Sequence, residues 1–122
     1  MERSTTTTDL WTYRGADVLG VDIVKGVEII GFSVEALDGG IGKIDEATYD
    51  VRSSYVVVDT GPWIFGKKVL LPAGTIQRVD LDSETVFVDR TKDEIKDSPE
   101  FDEHTYRDEG YRSRVGSYYR GE

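Results

Sequence analysis

The sequence predicts an all-β fold: a small barrel of about six strands over residues 20–90, followed by a short helical extension. Three observations lead there. Between residues 20 and 90, short alternating or apolar segments are broken at close spacing by Asp38-Gly39-Gly40, Asp59-Thr60-Gly61-Pro62 and Pro72-Ala73-Gly74. No segment in that range has the length and period of a crossover helix, which argues against βαβ units. After Arg90 the composition turns to charged residues with helical spacing.

Residues 1–9 are polar, dominated by Thr5 to Thr8, and have nothing to bury, so residues 1–19 are expected to form a flexible N-terminal arm. Leu10, Trp11 and Tyr13 close that arm, where large apolar side chains can lie across the body and shield it. Gly20 to Ile23 reads as a short lead strand. Val27 to Leu37 places Ile30, Phe32, Val34 and Ala36 at period two against polar Glu28, Ser33 and Glu35. Asp38-Gly39-Gly40 supplies the positive-φ residues of a tight hairpin turn, and Ile41 to Tyr49 runs back with Gly42 as a bulge or close-packing point.

Tyr55-Val56-Val57-Val58 is apolar on both faces and therefore predicts a central strand, or one whose outer face is covered by another element or subunit. Lys67 to Leu71 forms the next strand, stopped by Pro72, which has no N–H for a ladder. Thr75 to Val79 and Thr85 to Val88 follow, joined through Asp80-Leu81-Asp82-Ser83. The second of these is again apolar on both sides at Val86, Phe87 and Val88.

In the extension, residues 91–122, Thr91 and Glu94 form a capping box for a helix through about Asp97. Ser98 and Pro99 have the residue types of an N-cap and first helical position. Tyr111, Val115, Tyr118 and Tyr119 occupy i, i+4, i+7 and i+8, an apolar stripe opposite Arg112 and Arg114. With nine acidic and six basic residues, the extension is also acidic enough to order only against a partner.

Length and charge bound the function. The 122 residues, 13.7 kDa, fit one domain with one core. A net charge of −9 leaves no positive field for a phosphate backbone, so direct nucleic-acid binding is not expected. The absence of cysteine excludes disulfides, thiolate nucleophiles, iron–sulfur clusters and cysteine zinc sites. No apolar run reaches the roughly 18 residues of a membrane span, and the first residues lack the apolar core of a signal peptide, so a cytoplasmic protein is expected.

The hairpin from Val34 through Asp38-Gly39-Gly40 to Ala47, the strand Tyr55-Val56-Val57-Val58-Asp59-Thr60-Gly61 and the block Lys68-Val69-Leu70-Leu71-Pro72, in this order, resemble a PRC-barrel domain over about residues 28–90. That module is shared by the cytoplasmic part of the photosynthetic reaction-centre H subunit and the C-terminal half of RimM-type ribosome maturation factors. The run Thr91 to Phe101 with its tyrosine-rich end is similar to a subgroup of free-standing members. The resemblance implies a small β-barrel that often associates as a homodimer and has no assigned activity. Within these 122 residues neither a membrane helix nor an RNA-associated domain is expected beside the barrel that the resemblance implies, so the photosynthetic and ribosomal roles are not expected to transfer directly.

Catalytic chemistry finds few candidates. His104 is the one histidine, set between Asp102 and Glu103, and no Ser–His–acid arrangement forms around it. None of the thirteen glycines forms a phosphate-binding string, and no cofactor is expected. Asp80, Asp82 and Glu84 offer alternate carboxylates to a hard cation, without the glycine and spaced final glutamate of an EF-hand. Lys67 and Lys68 beside Trp63 and Phe65 are the one place where cations and aromatics interleave, too few for a nucleic-acid groove. The segment Gly61 to Gly66 is the most informative. Loops are ordinarily polar, yet Trp63, Ile64 and Phe65 are large and apolar, and the barrel, the extension or another molecule must cover them. The expectation is a non-catalytic protein-interaction module, homodimeric through Trp63, Ile64 and Phe65 with Tyr111, Val115, Tyr118 and Tyr119. The alternatives are a ligand- or divalent-ion-binding barrel, and an adaptor for a ribosomal protein or another protein partner.

Overall fold

The computed structural model describes residues 10–11, 29–48, 54–61 and 67–121. Six strands, β1 (Ser33–Ala36), β2 (Gly39–Ala47), β3 (Tyr55–Asp59), β4 (Lys68–Pro72), β5 (Ile76–Asp80) and β6 (Thr85–Val88), form one sheet in the order β4-β3-β2-β1-β6-β5. Neighbouring strands pair antiparallel except β1 and β6, which run parallel with Ser33 opposite Thr85. Two helices follow, α1 (Lys92–Lys96) and α2 (Glu109–Arg120). Among the described residues no helix is long and apolar enough to cross a membrane.

The sheet is open, because β4 and β5 end it on opposite sides without pairing. Yet only the 3₁₀ turn Ala73–Thr75 separates them in sequence. A connection that short spans at most about 14 Å from Pro72 to Ile76, whereas five flat strand spacings would need about 24 Å. The sheet is therefore strongly curled.

Two local features differ from the sequence expectation. The strand expected from Val27 begins only at Ser33 among the described residues. Ile29 to Phe32 form a turn closed by the Phe32 N–H on the Ile29 carbonyl, with Gly31 at φ +92°, and Ile30 is exposed rather than facing the core. The hairpin turn is Leu37-Asp38, one residue earlier than expected, and Gly39 already pairs with Ala36. The role expected for Gly42 is realised: at φ +149°, a Cβ there would lie 2.1 Å from the Asp59 carbonyl oxygen. The lead strand expected at residues 20–23 lies outside the described residues.

β3 is buried on both faces, as its composition predicts. Alternation divides it. Val56 and Val58 share one face with their partners Leu71, Val69 and Ile44, while Tyr55 and Val57 share the other with Leu70, Pro72 and Glu46. The second face is roofed by the chain's own extension, where Tyr106 meets the Tyr55 ring edge-on at 6.3 Å and Phe101 packs on Tyr106 at 4.8 Å. β6 differs: Val86 and Val88 are buried, but Phe87 is only half-buried and is covered by the Arg78 guanidinium, 4.0 Å above its ring.

Candidate docking site

The extension is fastened from its first turn. Thr91 Oγ1 accepts the Glu94 N–H at 3.1 Å, Glu94 Oε1 accepts the Thr91 N–H at 2.9 Å, and the predicted capping box is complete. The Lys92 N–H donates to Asp38 Oδ1 at 2.8 Å, tying the helix start to the β1–β2 turn, and Ile95 beneath is fully buried. No helix starts at Ser98 and Pro99. The Ser98 hydroxyl instead donates back to the Ile95 carbonyl at 2.7 Å, ending α1, and the next helix waits for Glu109.

The tyrosine stripe is where the structure departs most from its expected use. Tyr111, Val115, Tyr118 and Tyr119 do share one helix, but Tyr111, Val115 and Tyr119 retain at most 8% exposure within the single chain. The Tyr111 hydroxyl donates to the Pro99 carbonyl at 3.0 Å, and the Tyr118 hydroxyl to the Glu94 carbonyl at 2.6 Å. Arg90 lies over the Tyr119 ring and donates to its carbonyl. Trp11 closes the group from the N-terminal side, buried, with its ring nitrogen 3.3 Å from where a Gly116 Cβ would stand. Three of the four side chains are thus covered by their own chain, and the half-buried Tyr118 alone keeps surface to offer. Trp63, Ile64 and Phe65 lie outside the described residues.

Burial also acts on the phenols. It raises the Tyr106 hydroxyl to about 12, reinforced by the Glu46 carboxylate that accepts its proton. It raises Tyr111 to about 12, and it raises Tyr118 and Tyr119 as well. None of the four is poised to titrate near neutrality.

A cleft of about 310 Å³ opens where the extension meets the base of the β3–β4 hairpin, between Lys67-Lys68-Val69 and the stretch from Lys96 to Phe101. The base is pinned: Thr60 Oγ1 donates to the Lys67 carbonyl at 2.7 Å, and the Gly61 N–H donates to Asp59 Oδ1 at 2.9 Å. Val69, Pro99 and Phe101 give the cleft apolar surface. Its cations are partly committed, Lys67 to Glu100 at 2.6 Å and Lys68 to Asp45 at 2.9 Å, the latter bond raising the Lys68 ammonium above its usual range. Lys96 makes no ion pair among the described residues. The lysine pair was visible in sequence; Lys96, Ser98 and Phe101 reach it only through the fold.

The other sequence candidates are accounted for by local structure. Asp80 Oδ1 accepts the N–H groups of Asp82 and Ser83 at 3.0 and 3.3 Å, which holds its carboxyl below the usual range and makes it the acceptor of a turn. Asp80, Asp82 and Glu84 do not converge, and among the described residues no three acidic or histidine side chains form a cation cluster. His104 is exposed, its backbone N–H held by Asp102 Oδ1 at 2.8 Å. No protein-family model matches the chain, and no curated protein matches it.

Proposed function

We propose that the chain is a non-catalytic protein-interaction module, a PRC-type barrel over residues 20–90 with the extension 91–122 serving as its wall, working in the cytoplasm as a homodimer. The curl imposed by the three-residue link between β4 and β5 supports the barrel reading. The acids described above serve turns, ion pairs and the Tyr106 contact, which favours binding over catalysis.

The observation that carries the reading is the cleft at the hairpin base. It combines apolar surface with lysines, on a hairpin base closed by the Thr60–Lys67 bond, beside Lys67, which in sequence follows Phe65 by two positions. Trp and Phe are favoured anchors at protein interfaces. With Tyr111, Val115 and Tyr119 engaged at home, partner docking falls to Trp63, Ile64 and Phe65 together with Tyr118 and the cleft. Immobilised wild-type protein and a Trp63→Ala/Phe65→Ala variant, challenged with cell extract, test this. A protein retained by the first and lost by the second is expected; equal retention, or none by either, overturns the docking assignment. Sedimentation tests the homodimer: a mass that stays at 13.7 kDa over the accessible concentrations removes it.

A further inference from the structure

The two edges of the sheet are treated differently. β4 is closed: it is buried from Val69 to Pro72, ends in a residue without an N–H, and has α2 against it. β5 has no strand beyond it among the described residues and exposes Gln77 and Arg78; its shortness, the bulge after Ile76 and the charges of Arg78 and Asp80 blunt it against strands in general but not against one with complementary charges. An unpaired edge is a row of hydrogen-bonding groups awaiting a strand, and its side chains decide which strand fits.

We propose that β5 pairs antiparallel with β5 of a second copy of this chain, about a twofold axis through Val79. The inference rests on the homodimer reading above and supplies its contact surface, separate from the docking cleft. In this register Arg78 of each copy lies opposite Asp80 of the other, so two opposite-charge pairs form on one face, while Val79 meets Val79 on the face turned to the core. An axis through Arg78 would set guanidinium against guanidinium, and one through Asp80 carboxylate against carboxylate. Charge therefore selects one register out of the three.

Both charged groups are held ready. Phe87 fixes the Arg78 guanidinium on the outer face, and the turn fixes Asp80 through Oδ1, leaving Oδ2 to accept from the second copy. Leu81, 45% exposed in the turn that follows β5, comes beside Gln77 of the other chain. The bulge between Ile76 and Arg78 confines the regular edge to Arg78–Asp80, so the association is short-ranged and concentration-dependent.

The test uses the full chain as wild type, R78D and D80R, each checked for folding by circular dichroism and followed by sedimentation over a concentration series. Each single variant places like charges opposite one another and is expected to dimerise at least about tenfold more weakly than wild type. An equimolar mixture restores both attractive pairs and is expected to form a 1:1 heterodimer. A wild-type dimer left intact by both substitutions overturns the β5 contact while the homodimer reading stands; single variants that dissociate but do not associate when mixed overturn the register. A monomeric wild type removes both readings. Should D80R not fold, R78D against R78A decides: the aspartate must weaken association more than the alanine, and equal weakening overturns the proposal.

Discussion

The Tyr106 hydroxyl donates to the Glu46 carboxylate, 2.8 Å from Oε2 and 2.9 Å from Oε1, and so joins the C-terminal end of β2 to the chain 60 residues later. Tyr106 also supplies apolar cover to Tyr55, whereas Glu46 is only half-buried and keeps access to water. The bond and the ring contribute separately. Tyr106→Phe keeps the ring and is expected to cost about 1.5 kcal/mol, the lower end of the range for a bond to a charged acceptor, because water still reaches this one. Tyr106→Ala uncovers Tyr55 and is expected to cost about 3 kcal/mol or more. Urea unfolding of the two variants checks the order; equal losses would assign the whole effect to the hydroxyl.

The raised phenols predict a sharp alkaline limit. A tyrosine whose folded value lies above its unfolded value of 10 contributes stability that is complete below pH 10 and is lost as pH rises through the folded value. For Tyr106 and Tyr111 that window runs from 10 to about 12. Tyr111 and Tyr119, both buried, each steepen the loss by up to about 1.4 kcal/mol per pH unit between their unfolded and folded values. Tyrosinate absorbance should therefore show a late-ionising class whose appearance coincides with loss of the circular dichroism signal. Smooth ionisation near pH 10 with the fold intact would contradict the burial.

These contacts mark how far the sequence could be read. Period-two alternation set the buried face of β1 at Val34 and Ala36 but carried the strand back through Ile30, which lies exposed in a turn, and the run apolar on both faces marked β3 as covered, because strand faces follow from chain geometry alone. The capping box was legible because both of its bonds lie within four residues. The Gly-rich string misplaced the hairpin turn by one position: Gly39 is needed as the first strand residue at φ +144°, and Leu37 and Asp38 make the bend. The tyrosine stripe was correctly placed on a helix, but its destination depends on Trp11, Arg90 and Pro99, which nothing local connects to it. Asp80 was readable as an oxygen ligand only while the amides of its own turn were out of view.

Gly42 is the position where the backbone leaves no alternative. Its φ of +149° is rarely adopted by a residue with a side chain, and a Cβ would stand 2.1 Å from the Asp59 carbonyl oxygen and 2.8 Å from the Thr60 Cα. Neither obstacle is the end of a flexible side chain; both belong to the strand end that pins the hairpin base. Gly42→Ala is expected to cost about 3 kcal/mol or more, or to prevent folding. Gly61→Ala is the control: φ is also positive, at +56°, but the space around it is open, so about 1 kcal/mol is expected. Thermal melts of both separate steric collision from backbone preference.

Ile95 tests whether the extension belongs to the fold or only rests on it. Its side chain is fully buried at the one apolar position of a five-residue helix, and a helix that short has little stability of its own in water. The capping box and the Asp38 contact fix where α1 starts, but burial of Ile95 is what holds it down. Ile95→Ala is expected to cost 2–5 kcal/mol, in the range for a large aliphatic truncated in a core; Thr91→Ala is expected to cost about 1 kcal/mol. If the extension were an appendage, Ile95→Ala would loosen residues 91–121 while the six-stranded sheet melted unchanged. Hydrogen exchange on β3 and β4 separates the outcomes, because release of Tyr106 and α2 uncovers Tyr55, Val57 and Leu70, and protection of those strands must then fall together with that of the helices.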